Sequence, residues 1–161
     1  MSSEPQLACH RVEAGDARDL DEVVAVMETA FDPSFGEAWT RSQCAGILPM
    51  SGVSLTVARS APDDEMIGFS LQRVIADEAE LLLLAVAPAW RGLAIGRALL
   101  DHFIDDARAR GAHRLHLEVR DGNPAAQMYR LSGFDLAGRR SKYYHGAGDQ
   151  LFDALTFVRT I

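Results

Sequence analysis

An apolar run and a helical pattern follow each other in the middle of the chain. The run that starts at Leu81 ends at Pro88, and beyond the next glycine the apolar residues recur at every third or fourth position. A continuous apolar run is typical of a buried strand, and this recurrence is typical of an amphipathic helix. The sequence therefore predicts a strand over residues 78–86, a turn, and a long helix whose first turn is lined by residues 92–96 and which ends at Gly111.

Weaker periodicities predict the remaining elements. Alternating stretches bounded by turn residues predict strands, and capping residues followed by an apolar stripe predict helices. In chain order the predicted elements are a strand over 7–12, a helix that Asp16 caps and that continues to about 30, a helix over 37–47, strands over 54–58, 66–74 and 78–86, the long helix, a strand over 114–119, a short helix that Asn123 caps, and a hairpin of strands over 134–143 and 151–158.

This order contains one parallel crossover, from the strand over 78–86 through the long helix to the strand over 114–119. Strands joined by tight turns pair antiparallel, whereas a crossover through a helix joins parallel strands. We therefore predict an α/β (α+β) fold with a mixed central sheet. At 161 residues the whole chain, 1–161, is expected to form one domain, since a second domain would not fit.

Charge and composition narrow the classes of partner. The formal net charge is −7 with both signs interspersed, so we expect no binding to nucleic acid or to a membrane surface. The longest apolar run is too short to span a membrane and residues 1–4 do not resemble a signal peptide, so a cytoplasmic protein is expected. Cys9 and Cys44 lack metal-ligand spacing, which predicts two free thiols and no metal. A monomer or weak homodimer is expected.

The turn between the predicted strand and the long helix has the composition of an anion-binding site. A helix N-terminus presents unpaired backbone N–H groups and the positive end of the helix dipole. Gly92, Ala94 and Gly96 leave no bulk that would keep a phosphate away from these groups. Arg91 and Arg97 add positive charge at the two ends of the turn. No Lys-Ser/Thr pair follows, so this is not a nucleotide P-loop, and an ordinary glycine-rich turn remains the alternative.

The same turn carries a resemblance to a known superfamily. Residues 91–96, Arg-Gly-Leu-Ala-Ile-Gly, resemble the pyrophosphate-binding motif Gln/Arg-x-x-Gly-x-Gly/Ala of the GNAT acyltransferases, with Ala94 in place of the middle glycine. The predicted order of elements is also that of the GNAT fold. The resemblance implies a splayed strand pair flanked by helices, with acetyl-CoA as co-substrate between the strands. The cofactor-binding residues that it implies are Leu84, Ala85, Val86, Arg91, Gly92, Leu93, Ala94, Ile95, Gly96, Arg97 and Asn123.

Three further segments narrow the resemblance. They are Leu-Glu-Val-Arg at 117–120, the stretch from Asn123 to Tyr129 that leads to Ser-Gly-Phe at 132–134, and Arg-Arg-Ser-Lys-Tyr-Tyr at 139–144. Together they resemble the ribosomal-protein-alanine N-acetyltransferase family, which acetylates the N-terminal alanine of a small-subunit ribosomal protein. The resemblance implies a peptide or protein N-terminus as acceptor, Glu118 as general base and Tyr129 as general acid, with residues 139–144 beside the peptide.

The chemistry of acetyl transfer sets the roles that these residues must fill. In the expected mechanism the amine attacks the thioester directly while both substrates are bound in a ternary complex. The ammonium must first lose a proton, the oxyanion must be stabilised and the departing thiolate must be protonated. Glu80 is the alternative base, because its spacing before Ala85 matches the glutamate of histone-type members of the superfamily. The alternatives without a catalytic role are a solvated carboxylate at a strand edge for Glu118 and a tyrosine that anchors the core for Tyr129.

The sequence differs from the family pattern in the spacing from Asn123 to Tyr129, which is six positions here and usually seven in the family. One residue turns a helical side chain by about 100°, so both side chains keep the family positions only if the start of the helix shifts. The backbone of Asn123, or Gly122, is the alternative contact at this place.

Two functional alternatives stay open, a GNAT enzyme that acetylates a small amine and a non-catalytic CoA-binding module, because a fold does not determine a function. The combination of Glu118 with Tyr129 favours catalysis. Two groups of residues are interpreted as structural rather than functional. They are the scattered histidines His102, His113 and His116, expected at the surface, and the aromatic residues Phe31, Phe35 and Trp39, expected in the core beside a chain break at 32–36.

Overall fold

The structure, a computed structural model, describes residues 9–161 and, at Cys9, only the backbone. The strands are β1 (Cys9–Gly15), β2 (Val53–Ala61), β3 (Met66–Ile75), β4 (Glu78–Val86), β5 (Arg114–Arg120), β6 (Asp135–His145) and β7 (Leu151–Thr160). The helices are α1 (Leu20–Ala30), α2 (Arg41–Ile47), α3 (Ile95–Ala109) and α4 (Ala125–Leu131). These elements follow the predicted order. Residues 7 and 8 of the predicted first strand, and the predicted free thiol of Cys9, lie outside what the structure describes.

The seven strands form one sheet in the order β1-β2-β3-β4-β5-β7-β6. β4 and β5 pair parallel, and α3 makes the crossover between them. The other neighbouring strands pair antiparallel. The predicted α/β fold with a mixed sheet and one parallel crossover is therefore confirmed.

The two parallel strands separate halfway along their length. Their pairing ends at Leu81 and Leu117. β4 nevertheless continues to Val86 and β5 to Arg120. The splayed strand pair that the GNAT resemblance implies is therefore present, and the edge of β4 that faces β5 is open over its last residues.

A β-bulge in β4 accompanies this separation. The register of β3 against β4 passes from Leu83 directly to Leu81, which leaves Leu82 as an extra residue. A bulge bends its strand and disturbs the alternation of side chains along it. Ala79 consequently packs in the core on the α3 side of the sheet, whereas Leu83 and Ala85 pack in the core on the α1 side.

Helices cover both faces of the sheet. The apolar stripe that α3 buries consists of Ile95, Leu99, Leu100, Phe103, Ile104 and Ala107. The stripe that α1 buries consists of Leu20, Val23, Val26 and Met27. Burial of these stripes fixes the first turn of α3 against the end of β4, where a Cβ on Gly96 would lie 3.6 Å from Val86. Among the helices of residues 9–161, none is long and apolar enough to cross a membrane.

The starts of the helices follow their capping residues. Asp16 caps the first helical turn as predicted, because its side chain accepts a backbone N–H of that turn. The predicted start of the second helix at Glu37 is wrong, since α2 begins at Arg41. The Thr40 hydroxyl accepts the N–H of Gln43 while the Gln43 side chain accepts the N–H of Thr40, and this reciprocal capping box ends the preceding extended segment.

The start of α3 also differs from the prediction. Residues 92–96 were expected to line its first turn, but α3 begins at Ile95. Gly92 has φ of 77° and Ala94 has φ of 63°, and a left-handed residue cannot continue a right-handed helix. Residues 92–94 therefore form the turn that leads into the helix, with Ala94 at a position that glycine would occupy with less strain.

Candidate active site

Two adjoining cavities open where β4 and β5 separate. The larger, about 560 Å³, lies between the end of β4, the first turn of α3, the start of α4 and the segment that joins α1 to α2, and is called the groove. The smaller, about 200 Å³, lies between β4, β5, α4 and the end of β6, and is called the inner pocket. Five residues line both cavities: Phe31, Glu37, Leu84, Asn123 and Ala125. Molecules bound in the two cavities would therefore meet at these residues.

The groove gathers most of the residues that the sequence assigns to cofactor binding. Ten of the eleven line it, namely Leu84, Ala85, Val86, Arg91, Gly92, Ala94, Ile95, Gly96, Arg97 and Asn123. Leu93 does not line it, and its side chain is 47% exposed. The predicted contact of Leu93 with the cofactor is therefore not supported by the lining of the groove.

The turn before α3 has the features of an anion site. A Cβ on Gly92 would meet nothing within 4 Å, so the space beside this residue is free for a ligand. Ala94 precedes the helix and has no side-chain oxygen with which to accept the first N–H groups of α3. These N–H groups are therefore available to a phosphate group, and the residues present fit the pyrophosphate of a CoA molecule.

The two arginines of the turn differ in their contacts. Arg91 donates from Nη2 to the carbonyl oxygen of Ala30, the last residue of α1, at 2.7 Å. Arg97 pairs with Asp101 one helical turn further on, with Nε and Oδ1 at 3.1 Å, and its side chain is half-exposed. Arg91 therefore ties the turn to the end of α1, whereas Arg97 is free to exchange an exposed ion pair for a phosphate.

Tyr129 faces the inner pocket from α4 and is otherwise surrounded by the core. Its residue surface is 6% exposed, and its ring packs against those of Phe134 and Phe157 at centroid distances of 6.1 and 6.4 Å. Burial, and then the charge of Glu37, raises the pKa of the Tyr129 hydroxyl well above its usual value. The hydroxyl is therefore protonated at neutral pH, as an unshifted phenol also is.

Glu118 and Glu80 both line the inner pocket, and each is paired with an arginine. Oε1 of Glu118 lies 2.6 Å from Nε of Arg140. Oε2 of Glu80 lies 2.9 Å from Nη2 of Arg73. Burial, and then the nearby charge of Glu118, raises the pKa of the Tyr143 hydroxyl. The structure thus brings both candidate bases into one cavity.

Glu37 is a third carboxylate at this site, and sequence reasoning missed it. Its side chain is 9% exposed and is paired with the equally buried Arg120, which lies 83 positions away in sequence. Its second oxygen, Oε2, accepts a hydrogen bond from Nδ2 of Asn123 at 2.8 Å. The sequence places Glu37 in a helix, and only the fold reveals its partners.

The segment between α1 and α2 packs against the turn between β6 and β7. The ring of Phe35 lies edge-on to Phe152 at 5.3 Å, and the guanidinium of Arg120 sits over Phe35 at 3.7 Å. A Cβ on Gly36 would collide with the carbonyl of His145, so the close approach at this point requires glycine. These contacts hold the segment before α2 against the β6–β7 hairpin and against Arg120 at the end of β5.

The three aromatic residues of this region have two environments. Phe31 and Trp39 pack against the core on the α1 side, as the sequence predicts, and also line the inner pocket. Phe35 lines the groove and packs beneath Arg120. Their role is therefore not confined to filling the core.

The shortened spacing between Asn123 and Tyr129 does not separate the two side chains. Oδ1 of Asn123 accepts the N–H of Ala125 at 2.9 Å and caps α4, and Pro124 precedes the helix. Asn123 and Tyr129 both line the inner pocket. The cap predicted from sequence is confirmed, and the helix begins at a residue that lets both side chains face the same cavity.

No histidine lines the groove or the inner pocket in the described part of the chain. Within residues 9–161 no group of three or more His, Cys, Asp or Glu side chains has an arrangement that could hold a metal ion. His113 is exposed, whereas His102 and His116 are half-buried, so the predicted surface position holds fully for His113 alone. Cys44 is a free, buried thiol, as predicted.

Comparison with known proteins decides the family. Residues 20–134 match the sequence model of the Acetyltransferase (GNAT) family. The chain belongs to the GNAT acetyltransferases. It is therefore an enzyme, an N-acetyltransferase that uses acetyl-CoA as co-substrate.

Individual relatives of this GNAT enzyme point in two directions. The [ribosomal protein bS18]-alanine N-acetyltransferase of Salmonella typhimurium is 35% identical over 130 residues, which cover 75% of this chain and 86% of the relative. A crystal structure of the ribosomal-protein-S18-alanine N-acetyltransferase from Escherichia coli superposes with a TM-score of 0.84 at 29% identity and covers 95% of this chain and 94% of that chain. The streptothricin acetyltransferase of Streptomyces lavendulae is 38% identical over 100 residues, 60% of this chain and 53% of that protein.

The matched range 20–134 includes most, but not all, of the residues that line the two cavities of this GNAT enzyme. Every residue that lines the groove falls within the matched range 20–134. Tyr143 and Tyr144 of the inner pocket lie beyond it, on β6. The family model therefore covers the groove and all of the inner pocket except its β6 wall.

Proposed function

We propose that this enzyme acetylates the amine at a protein N-terminus, and that its acceptor is the N-terminal alanine of a small-subunit ribosomal protein. The observation that carries the proposal is the relationship to a ribosomal-protein-alanine N-acetyltransferase over 86% of that protein. The inner pocket supports it, because a cavity of about 200 Å³ has room for an amine with a small first side chain.

Acetyl-CoA supplies the activated acetyl group, and the groove is its proposed site. The N–H groups of residues 92–96 and the side chain of Arg97 would hold the pyrophosphate. The open edge of β4 over residues 84–86 offers backbone groups to the amides of the pantetheine arm, because pairing with β5 has ended before them. Asn123, at the start of α4, would contact the far end of this arm where the groove meets the inner pocket.

Glu118 is the proposed base, and the exposure of the arginine partners supports it over Glu80. The side chain of Arg140 is 62% exposed, whereas that of Arg73 is 33% exposed. Arg140 is thus already largely hydrated while it pairs with Glu118, so its release into water changes its solvation less than the release of Arg73 would. The acceptor ammonium can therefore replace Arg140 at Glu118 at a lower cost than it could replace the partner of Glu80. Glu118 would then accept the ammonium proton and leave a neutral amine.

Tyr129 is the proposed acid. Tyr129 lines the inner pocket, and the helix that carries it begins at Ala125, which also lines the groove. A phenol is protonated at neutral pH, so this hydroxyl can donate a proton to the departing sulfur once the amine has attacked. Base and acid then act at the two ends of one transfer.

The acceptor can be tested with a substrate panel. The enzyme is incubated with acetyl-CoA and, separately, an alanine-initiated ribosomal peptide, the same peptide with a blocked N-terminus, a lysine peptide and small amines, and thiol release is followed. The proposal expects the highest kcat/KM for the free alanine-initiated peptide and no release with its blocked form. Equal release from the blocked peptide would exclude N-terminal acetylation.

The second candidate function is acetylation of a small-molecule amine. It is favoured by the 38% identity to a streptothricin acetyltransferase, although only 60% of this chain is covered. In the same panel, a small amine with a higher kcat/KM than every peptide would support this candidate over the first.

The phosphate assignment predicts a loss of ligand binding in Gly92→Asp. Acetyl-CoA should raise the Tm of the native enzyme, and the shift should vanish in the variant because a carboxylate would occupy the anion site. Gly111→Asp is the matched control, since Gly111 also has positive φ and open space around its Cβ but lies at the other end of α3. A full ligand-induced shift in Gly92→Asp would contradict the assignment.

The β6 wall predicts a specificity role for Tyr143. This residue lines the inner pocket while remaining 45% exposed, so Tyr143→Ala should raise the KM of the peptide several-fold and leave the Kd of acetyl-CoA unchanged. Leu136→Ala, at a 53% exposed position of the same strand, is the control and should change neither constant. Equal changes in both constants for Tyr143→Ala would indicate a folding defect instead.

A further inference from the structure

Glu37 stands where the groove and the inner pocket meet. Of the five residues that line both cavities, it alone carries a charge. An acetyl group must pass from a donor in one cavity to an acceptor in the other, so it must cross this place. The sequence around Glu37, which lies two residues before Trp39, carries no motif that would assign it a role in acetyl transfer.

Both oxygens of Glu37 are held by residues at the end of β5. Oε1 accepts from Nε of Arg120, and Oε2 accepts from Nδ2 of Asn123 at 2.8 Å. The side chains of Glu37 and Arg120 are only 9% and 10% exposed, so the pair is shielded from water and its geometry is fixed. Glu37 thus joins the segment before α2 to the chain that enters α4.

Asn123 carries this link into the helix. While Nδ2 of Asn123 donates to Glu37, its Oδ1 accepts the N–H of Ala125 and caps α4. The amide plane of Asn123 is therefore oriented by Glu37, and the cap depends on that orientation. α4 has seven residues, and so short a helix depends on its cap and its packing for position.

We propose that Glu37 is a positioning residue for acetyl transfer, which orients Asn123 and through it holds α4 so that Tyr129 keeps its place in the inner pocket. This inference rests on the proposed role of Tyr129 as proton donor. It adds to that role a requirement on a residue that lies in another segment and makes no step of the reaction itself.

The pKa shifts of two neighbouring tyrosines are consistent with a short distance between them and Glu37. Glu37 is a cause, after burial, of the raised pKa of both Tyr129 and Tyr144. The carboxylate therefore lies near enough to both hydroxyls to influence them. A displaced Glu37 would alter the position of α4 and the field at its tyrosine together.

The test is a double-mutant cycle between Glu37→Gln and Tyr129→Phe, measured with acetyl-CoA and an alanine-initiated peptide. Glutamine keeps the shape but can accept from only one side of the link, so kcat should fall by about 10- to 100-fold because a small misplacement of a reacting group has this effect. The Kd of acetyl-CoA should change little. If Glu37 acts through Tyr129, the double variant should be no slower than Tyr129→Phe alone.

A structural role alone would give a different result. Glu22→Gln is the control for loss of a carboxylate from a buried arginine, because Glu22 pairs with Arg59, whose side chain is 10% exposed like that of Arg120, and neither Glu22 nor Arg59 lines the groove or the inner pocket. Glu22 itself is 49% exposed, and Arg59 also pairs with Asp19. This variant should show a smaller loss of Tm than Glu37→Gln and an unchanged kcat, because Arg59 stays paired with Asp19.

Three outcomes would overturn the inference. An unchanged kcat in Glu37→Gln, beside a slow Tyr129→Phe, removes it and leaves the proposed acid intact. Losses that multiply in the double variant show that Glu37 acts independently of Tyr129. An unchanged kcat in Tyr129→Phe removes both the proposed acid and the inference, whatever Glu37→Gln does.

Discussion

Glu118→Gln is expected to lower kcat by about 10²–10⁴ while acetyl-CoA binds with unchanged affinity. Glutamine keeps the shape and volume of the side chain but cannot accept the ammonium proton. The groove that is proposed to hold acetyl-CoA does not include Glu118, so the Kd of this substrate should not respond. Steady-state kinetics on one peptide, with a pH–rate profile, measure the loss and identify the limb that depends on the basic group.

Glu80→Gln is the control for this experiment, because Glu80 lines the same pocket and is also paired with an arginine. It should retain most of the kcat and keep the basic-group limb of the profile. Should Glu80→Gln lose that limb while Glu118→Gln keeps it, the base is Glu80 and the site follows the histone-type arrangement.

Tyr129→Phe is expected to lower kcat by about 10²-fold or more, since it removes the hydroxyl that is proposed to protonate the departing sulfur. The loss should shrink for acetyl donors whose thiol is more acidic, because a better leaving group needs less help from an acid. Kinetics with acetyl-CoA and with such a donor measure the difference. The buried ring remains, so the core contacts with Phe134 and Phe157 are retained.

Tyr144→Phe is the matched control, because Tyr144 also lines the inner pocket and its pKa is also raised, first by burial and then by Glu37. Tyr144→Phe should respond to the acidity of the leaving thiol as the native enzyme does. A loss of Tm in Tyr129→Phe with an unchanged kcat would identify Tyr129 as a structural residue, and a selective loss in Tyr144→Phe would move the acid to β6.

The fold could be predicted closely wherever the signal lay within one element. The predicted strand over 78–86 is β4 as observed, and the long helix was found with its apolar stripe, because periodicity reports burial of neighbouring positions directly. The start of α2 was predicted four residues early. The capping box from Thr40 to Gln43 is present in the sequence and could have corrected this, whereas the ion pair that draws Glu37 to Arg120 could not have been found.

The candidate site divides in the same way. One contiguous stretch, 84–97, supplies half of the residues that line the groove, so a local motif identified nearly all of the residues expected to bind the cofactor. The inner pocket takes its residues from β4, β5, α4, β6 and the segment before α2. No spacing in the chain indicates that Glu37, Glu80 and Glu118 share a cavity.

By itself, the sequence determined the order of the elements, the crossover through α3 and the turn that faces the groove, because each depends on the burial pattern or the backbone needs of adjacent residues. Only the tertiary structure decided which arginine pairs with which carboxylate, that Glu37 holds Asn123, and that Arg140 is the exposed partner of Glu118. The reason is that these contacts join residues from separate elements. Their geometry depends on the splay of β4 and β5 and on the packing of the β6–β7 hairpin against the segment before α2, which no local periodicity encodes.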